Sequence, residues 1–206
     1  MTAPDSGEEF VKQLPTEGLV NAKCYAVVDL WSQEVERKGN KKMQRKIQIS
    51  FETDQMGTFW DKWELPLTLW NTYSFFITDN SNLYKDLQSW LWWTQPNKTF
   101  NIFDLVGMTA ELMVSHEVTK KWKPFAKIVK IKPGKKDWDL INKPVMFSLE
   151  QFNEDEFFKL PEFLQKQIQS TPEYDKAIGE DTTPAPTKGD ELKAKAKAKD
   201  EDELPF

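Results

Sequence analysis

Residues Ser81 to Leu91 read S-N-L-Y-K-D-L-Q-S-W-L. Leu83, Leu87, Trp90 and Leu91 recur at helical spacing and make one apolar stripe. Asp79 or Ser81 supplies the N-cap, since either side-chain oxygen can accept from a free backbone N–H of the first turn. Pro96 closes the stretch. The helix decides the fold through its place in the chain: three strand-like segments precede it and two follow.

Upstream, Leu19 to Val35 is rich in Val, Tyr and Trp, with Gly18 as a turn before it. Glu36 to Lys42 (E-R-K-G-N-K-K) is a turn with Gly39-Asn40 at its tip. A second strand runs from Met43 to Glu52, where Ile47, Ile49 and Phe51 alternate with Lys46, Gln48 and Ser50, the period of a half-buried strand. Thr53 to Leu67 reads as irregular, and a third strand as about Leu67 to Ile77. Downstream, Asn101 to Val106 connects to a fourth strand, opened by Gly107 and ending at Val118. Thr119 to Lys123 (T-K-K-W-K) is a tight basic turn. A fifth strand covers Trp122 to Ile131 and stops at Pro133-Gly134. Three strands, a helix and two strands is the order of the OB-fold, a five-stranded barrel with its helix between strands 3 and 4. The expected fold is therefore mainly β.

After the barrel, Glu156 to Gln169 predicts one short helix, with Phe157, Leu160, Leu164 and Ile168 inward and Pro161 near its start. From about Ser170 the composition turns to Thr, Pro, Ala, Lys and Glu, which has little to bury and reads as disordered linker. The expected organisation is a disordered N-terminus (1–13), an OB-fold domain (14–134), an extension with a helix on the barrel (135–174), a disordered linker (175–199) and an acidic tip (200–206).

The 39% hydrophobic content and nine Trp suffice for a core, and the net charge of -5 argues weakly against nucleic-acid binding. The charge is uneven: from Glu180 onward eight acidic residues face five Lys, so the rest of the chain is near -2. A near-neutral body still binds phosphates if its cations line one groove. The single cysteine, Cys24, excludes a disulfide framework and a Cys-based metal site. The acidic N-terminus lacks the apolar core of a signal peptide, and no apolar run approaches the ~20 residues of a membrane span. A soluble, cytoplasmic protein is expected.

In an OB-fold the loops joining strands 1–2 and 4–5 frame the ligand groove. Both carry cations here. The first has Arg37, Lys38, Lys41 and Lys42, continuing into Arg45 and Lys46. The second has Lys120, Lys121 and Lys123 around Trp122. A binder of single-stranded DNA indifferent to sequence needs flat rings for bases and spaced cations for phosphates. Candidate stacking residues are Trp31, Trp60, Trp63, Trp70, Trp122 and Phe125, although core packing explains any one of them as well. Trp90 belongs to the core by its place on the helix stripe. The K-A-K-A-K-A-K run at 193–199 reads as linker. His116, the single histidine, has no Cys near it, so a strand histidine satisfied by hydrogen bonds is the default. The chain carries no G-x-x-x-x-G-K-[ST] phosphate loop, and nothing signals a catalytic triad, a metal or a cofactor. No enzyme is expected.

The helix run S-N-L-Y-K-D-L-Q-S-W resembles one in phage-encoded single-stranded DNA-binding and replication proteins. The similarity continues in F-D-L-V-G (103–107), V-S-H (114–116), the strand from Phe125 through Pro133, and L-P-E-F-L-Q-K-Q-I-Q-S-T-P-E-Y (160–174). Trp92 and Trp93 depart from the pattern, which has small or basic residues there. The last residues, Asp200, Glu201, Asp202, Glu203, Leu204, Pro205 and Phe206, are similar to the acidic tip by which bacterial and phage single-stranded DNA-binding proteins recruit replication and repair enzymes. A partner pocket can take the ring while cations on its rim hold the carboxylates. The resemblance implies a phage replication or recombination protein that coats single strands in the cytoplasm of an infected host. Tolerant stacking leaves duplex DNA and RNA open as ligands, and barrels of this type vary in oligomeric state, homo-oligomers included. The alternatives are an OB-fold protein-interaction module without nucleic-acid binding, and an acidic DNA mimic, which the basic loops disfavour.

Overall fold

The structure is a computed structural model that describes residues 13–37, 39–59, 63–92 and 100–179; the side chains of Arg37, Phe59 and Trp63 lie outside this description. It is mainly β. Strands β1 (Gly18–Arg37), β2 (Asn40–Phe59), β3 (Trp63–Ser74), β4 (Thr109–Val118) and β5 (Pro124–Pro133) form one antiparallel path in the order β3-β2-β1-β4-β5. A sixth, β6 (Val145–Phe147), runs parallel to β1. Hydrogen bonding does not close the sheet: β3 and β5 are its free ends. The closed barrel expected from element order is, at this level, an open sheet.

The first hairpin is longer than its period suggested. Arg37 pairs with Asn40, and Gly39 makes the turn at φ +77°, a conformation glycine adopts without a Cβ penalty. The described part of Thr53 to Leu67 is strand and not irregular: β2 continues to Phe59, and β3 starts at Trp63. A register shift between Glu52 and Met56 absorbs the break in alternation that made this stretch unreadable as strand.

Between β3 and β4 lies α1 (Asn82–Leu91), capped by Ser81, whose Oγ accepts from the Tyr84 backbone N–H at 3.1 Å. Its stripe enters the main core. Trp90 packs on Phe51, ring centroids 5.3 Å apart, and donates its indole N–H to the Thr109 carbonyl at 2.8 Å. Such a partner is what a buried indole needs. Trp90 is core, as its position on the stripe predicts.

Two cores lie on opposite faces of β1. Val20, Ala22, Cys24 and Val27 join Ile47, Ile49, Phe51 and the α1 stripe. Val28 and Leu30 instead meet Phe147, Phe157, Leu164 and Ile168. Alternation alone keeps even-numbered residues on one face. The bulge between Cys24 and Ala26 reverses that parity, so a single strand serves both cores.

The second core is built by the C-terminal extension. The helix expected at 156–169 is two: α2 (Glu154–Phe158) and α3 (Glu162–Gln169), broken around Pro161. A fourth helix, α4 (Pro172–Ala177), occupies the start of the expected linker, and Thr171 caps it. Tyr174 makes it pack: its ring meets Phe157 at 5.3 Å and Phe152 at 5.9 Å. The expected linker from residue 180 on, the tip at 200–206 and nearly all of the expected disordered N-terminus (1–13) lie outside the described residues.

Between β5 and β6 the chain is strapped across the outer face of the sheet. Glu52, fully buried, accepts from Trp138 Nε1 (3.0 Å), Ile141 N (3.1 Å), Asn142 N (2.8 Å) and Asn142 Nδ2 (2.9 Å). Four N–H donors satisfy the carboxylate without a cation. Lys23 to Asp137 (2.7 Å) and Lys136 to Asp54 (2.9 Å) add two ion pairs.

Candidate nucleic-acid interface

The β4–β5 hairpin presents a ring and three cations. The Trp122 N–H donates to the Thr119 carbonyl at 2.9 Å, and Lys123 N donates to Thr119 Oγ1 at 3.1 Å. This tight turn holds Trp122 in the left-handed region (φ 58°), with 86% of its surface exposed. Lys120, Lys121 and Lys123 beside it are exposed. Non-glycine residues avoid this region because Cβ crowds the following carbonyl, at a cost of about 1–2 kcal/mol. Among the described residues three non-glycine positions have positive φ, and all are tryptophans: Trp31, Trp92 and Trp122.

Two further expected residues come together. Trp70 on β3 and Phe125 on β5 line one groove of about 380 Å³ along the seam where the ladder is open, with Lys127 on its wall. Trp70 is exposed. Lys127 is paired to Glu117 at 2.7 Å.

Others fall elsewhere. Trp31 and Arg45 serve packing, not an open groove. Arg45 lies over the Trp31 ring at 4.1 Å, donates to both oxygens of buried Asp29, and reaches Glu150 at 3.1 Å. Its charge is spent on two carboxylates, and Trp31 also packs against the second core. Lys41 bridges to Glu34 across the hairpin at 2.8 Å, and Lys46 donates to Ser74 Oγ at 3.0 Å. Lys42 is exposed. Lys38 and Trp60, and the side chains of Arg37 and Trp63, lie outside the described residues.

Trp70 also borders a second, larger cleft, of about 650 Å³, between the outer sheet face and the extension. Sequence reading missed it. Its floor is polar: Tyr25, Ser50 and Thr68 line it together, and Gln48 Nε2 donates to Ser50 Oγ at 3.2 Å. Burial pushes the Tyr25 phenol above its ordinary range, so it is a neutral hydroxyl at pH 7. The alternation in β2 marks Gln48 and Ser50 as solvent-facing, yet both are buried beneath the extension.

Burial pushes the Cys24 thiol to about 12, which keeps it protonated and unreactive. His116 accepts its expected role: the ring Nε2 meets the Pro15 carbonyl at 2.7 Å. Among the described residues no cluster of three His, Cys, Asp or Glu is placed to hold a metal, and no helix is long and apolar enough to cross a membrane. No known protein-family profile matches the chain, and no curated protein matches it at a significant level.

Proposed function

We propose that the protein binds single-stranded DNA without sequence requirement and acts as a phage replication or recombination accessory in the host cytoplasm. In this reading, residues 200–206 recruit the partner enzymes. The β4–β5 hairpin carries the reading: a tryptophan ring 86% exposed, held on strained backbone among three lysines. A structural ring would be buried; a strained, exposed one fits a platform on which bases stack. The strand order β3-β2-β1-β4-β5 with α1 between β3 and β4 supports an OB-fold, in which β3 and β5 are the strands that meet to close the barrel. The groove shared by Trp70 and Phe125 at that seam supports a stacking surface there. Rings take the bases and lysines take the phosphates, so the protein works by binding and not as an enzyme.

Titration with poly(dT) tests this. Stacking quenches tryptophan fluorescence, and affinity falls with salt at a logarithmic slope of about -0.7 per phosphate neutralised. Unchanged fluorescence and no binding at low salt would overturn the proposal and favour a polypeptide ligand.

A further inference from the structure

The extension treats two parts of the same sheet face differently. Over Val28 and Leu30 it lays Phe157, Leu164 and Ile168 and packs closely. Over Tyr25, Gln48, Ser50 and Thr68 it stands away and leaves a cleft. An extension serving only stability would cover an apolar floor; here the floor carries hydroxyls and an amide, which keep hydrogen-bonding capacity beyond the bond Gln48 makes to Ser50.

The cleft has the components of a base site. Trp70 and Phe163 of α3 both line it and form one aromatic pair, ring centroids 6.3 Å apart with their planes 35° from parallel. Phe163 is half exposed, though it is a large apolar residue on a short helix whose buried contacts are Leu164 and Ile168. α3 begins directly after Pro161 and places Phe163 in the lining of this cleft. Gln48 uses one amide N–H on Ser50, and a primary amide has another N–H and a carbonyl to offer. Lys143, Lys159 and Glu156 also line it; Glu156 pairs with Lys159 at 2.6 Å, leaving one cation in excess. The volume is within the range of small-molecule sites.

We propose that this cleft is a base-selecting subsite: one unpaired nucleobase of a bound strand inserts beside Trp70 and Phe163, its edge read by the Gln48, Ser50, Thr68 and Tyr25 floor. The inference rests on the single-strand reading above and deepens it. The rings and lysines of the β4–β5 hairpin supply sequence-tolerant affinity, and the cleft adds a preference among bases at one position.

The test compares the full chain with Phe163→Ala and Thr68→Val, titrated with oligo(dT), oligo(dC) and oligo(dA) of equal length at one salt concentration. The wild type should rank the three. Phe163→Ala should lower affinity for the best by at least about fivefold, the low end of the loss of one stacking partner. Thr68→Val should compress the ranking, and both variants should keep the wild-type salt slope. Equal binding of all three by the wild type, or an unchanged ranking in both variants, would overturn the base-selecting cleft while leaving single-strand binding intact. Failure of the wild type to bind any oligonucleotide would overturn both. Thr68→Val retains the shape of the side chain, so the test stands if Phe163→Ala is unstable.

Discussion

The Arg45 guanidinium sits 4.1 Å from the centre of the Trp31 ring and 5.0 Å from that of Phe75. Trp31 itself lies at the second bulge of β1, where the register shifts between Asp29 and Trp31. Asp29, buried at 2%, accepts from both Arg45 and the Trp31 backbone N–H, the latter at 3.0 Å. The bulge, the buried carboxylate and the guanidinium form one unit that ties β1 and β2 to the extension.

Arg45→Ala strands Asp29 in the interior. Removing one partner of a buried pair costs about 3–5 kcal/mol, and part of this is relieved here because Arg45 is partly solvated. The expected loss is about 3 kcal/mol, read by denaturant unfolding. The salt slope of DNA binding should not change, since this cation contacts carboxylates and not phosphates.

Trp122→Gly should separate stability from binding. Glycine accepts the left-handed turn freely, so stability should hold or rise by about 1 kcal/mol. DNA affinity should fall by about 1–3 kcal/mol, the worth of one stacked base. Thermal melting and poly(dT) titration of the same sample give both numbers.

Removing the cations of that hairpin together (Lys120→Ala, Lys121→Ala, Lys123→Ala) should flatten the salt dependence. Three lost phosphate contacts correspond to a slope change of about 2. Affinity measured at several salt concentrations gives the slope directly.

Glu52→Gln replaces one acceptor oxygen by a donor in a site that offers four N–H groups. The mismatch should cost about 2–3 kcal/mol, since bonds to a charged acceptor are the strong ones. Hydrogen exchange should accelerate at Ile141 and Asn142, whose amides Glu52 holds, and less so in α1.

Acid should loosen the same strap by another route. Burial raises the Asp54 carboxyl, but hydrogen bonds from Lys136 and Asn21 outweigh it and hold the group below its usual value. The hydrogen bond from Lys23 does the same for Asp137. A carboxylate depressed in the fold contributes stability that is present above its unfolded value of 3.8 and is lost as pH falls through the folded value. Protection factors over residues 135–140, which divide out the intrinsic pH dependence of exchange, should therefore fall as pH drops below about 4, with little change between pH 5 and 8.

Local pattern determined much of this protein. The α1 stripe, the alternation of Ile47, Ile49 and Phe51, the T-K-K-W-K turn and the order of the first five strands follow from side-chain period and turn chemistry, which act between near neighbours. The helix break at Pro161 and the packing of α4 were less legible, because a short apolar pattern does not reveal whether a proline starts a helix or divides one.

What only the tertiary structure decided is which face of each strand the rest of the chain would cover. Gln48 and Ser50 alternate like solvent-facing residues, yet the extension roofs them into a cleft. Arg45 reads like a phosphate contact, but Asp29 and Glu150, 16 and 105 positions away, claim it. Trp31 and Trp122 are the same residue type in the same backbone conformation, and distant packing partners cover the first while none encloses the second. Burial is a property of the assembled chain, so no local period can report it.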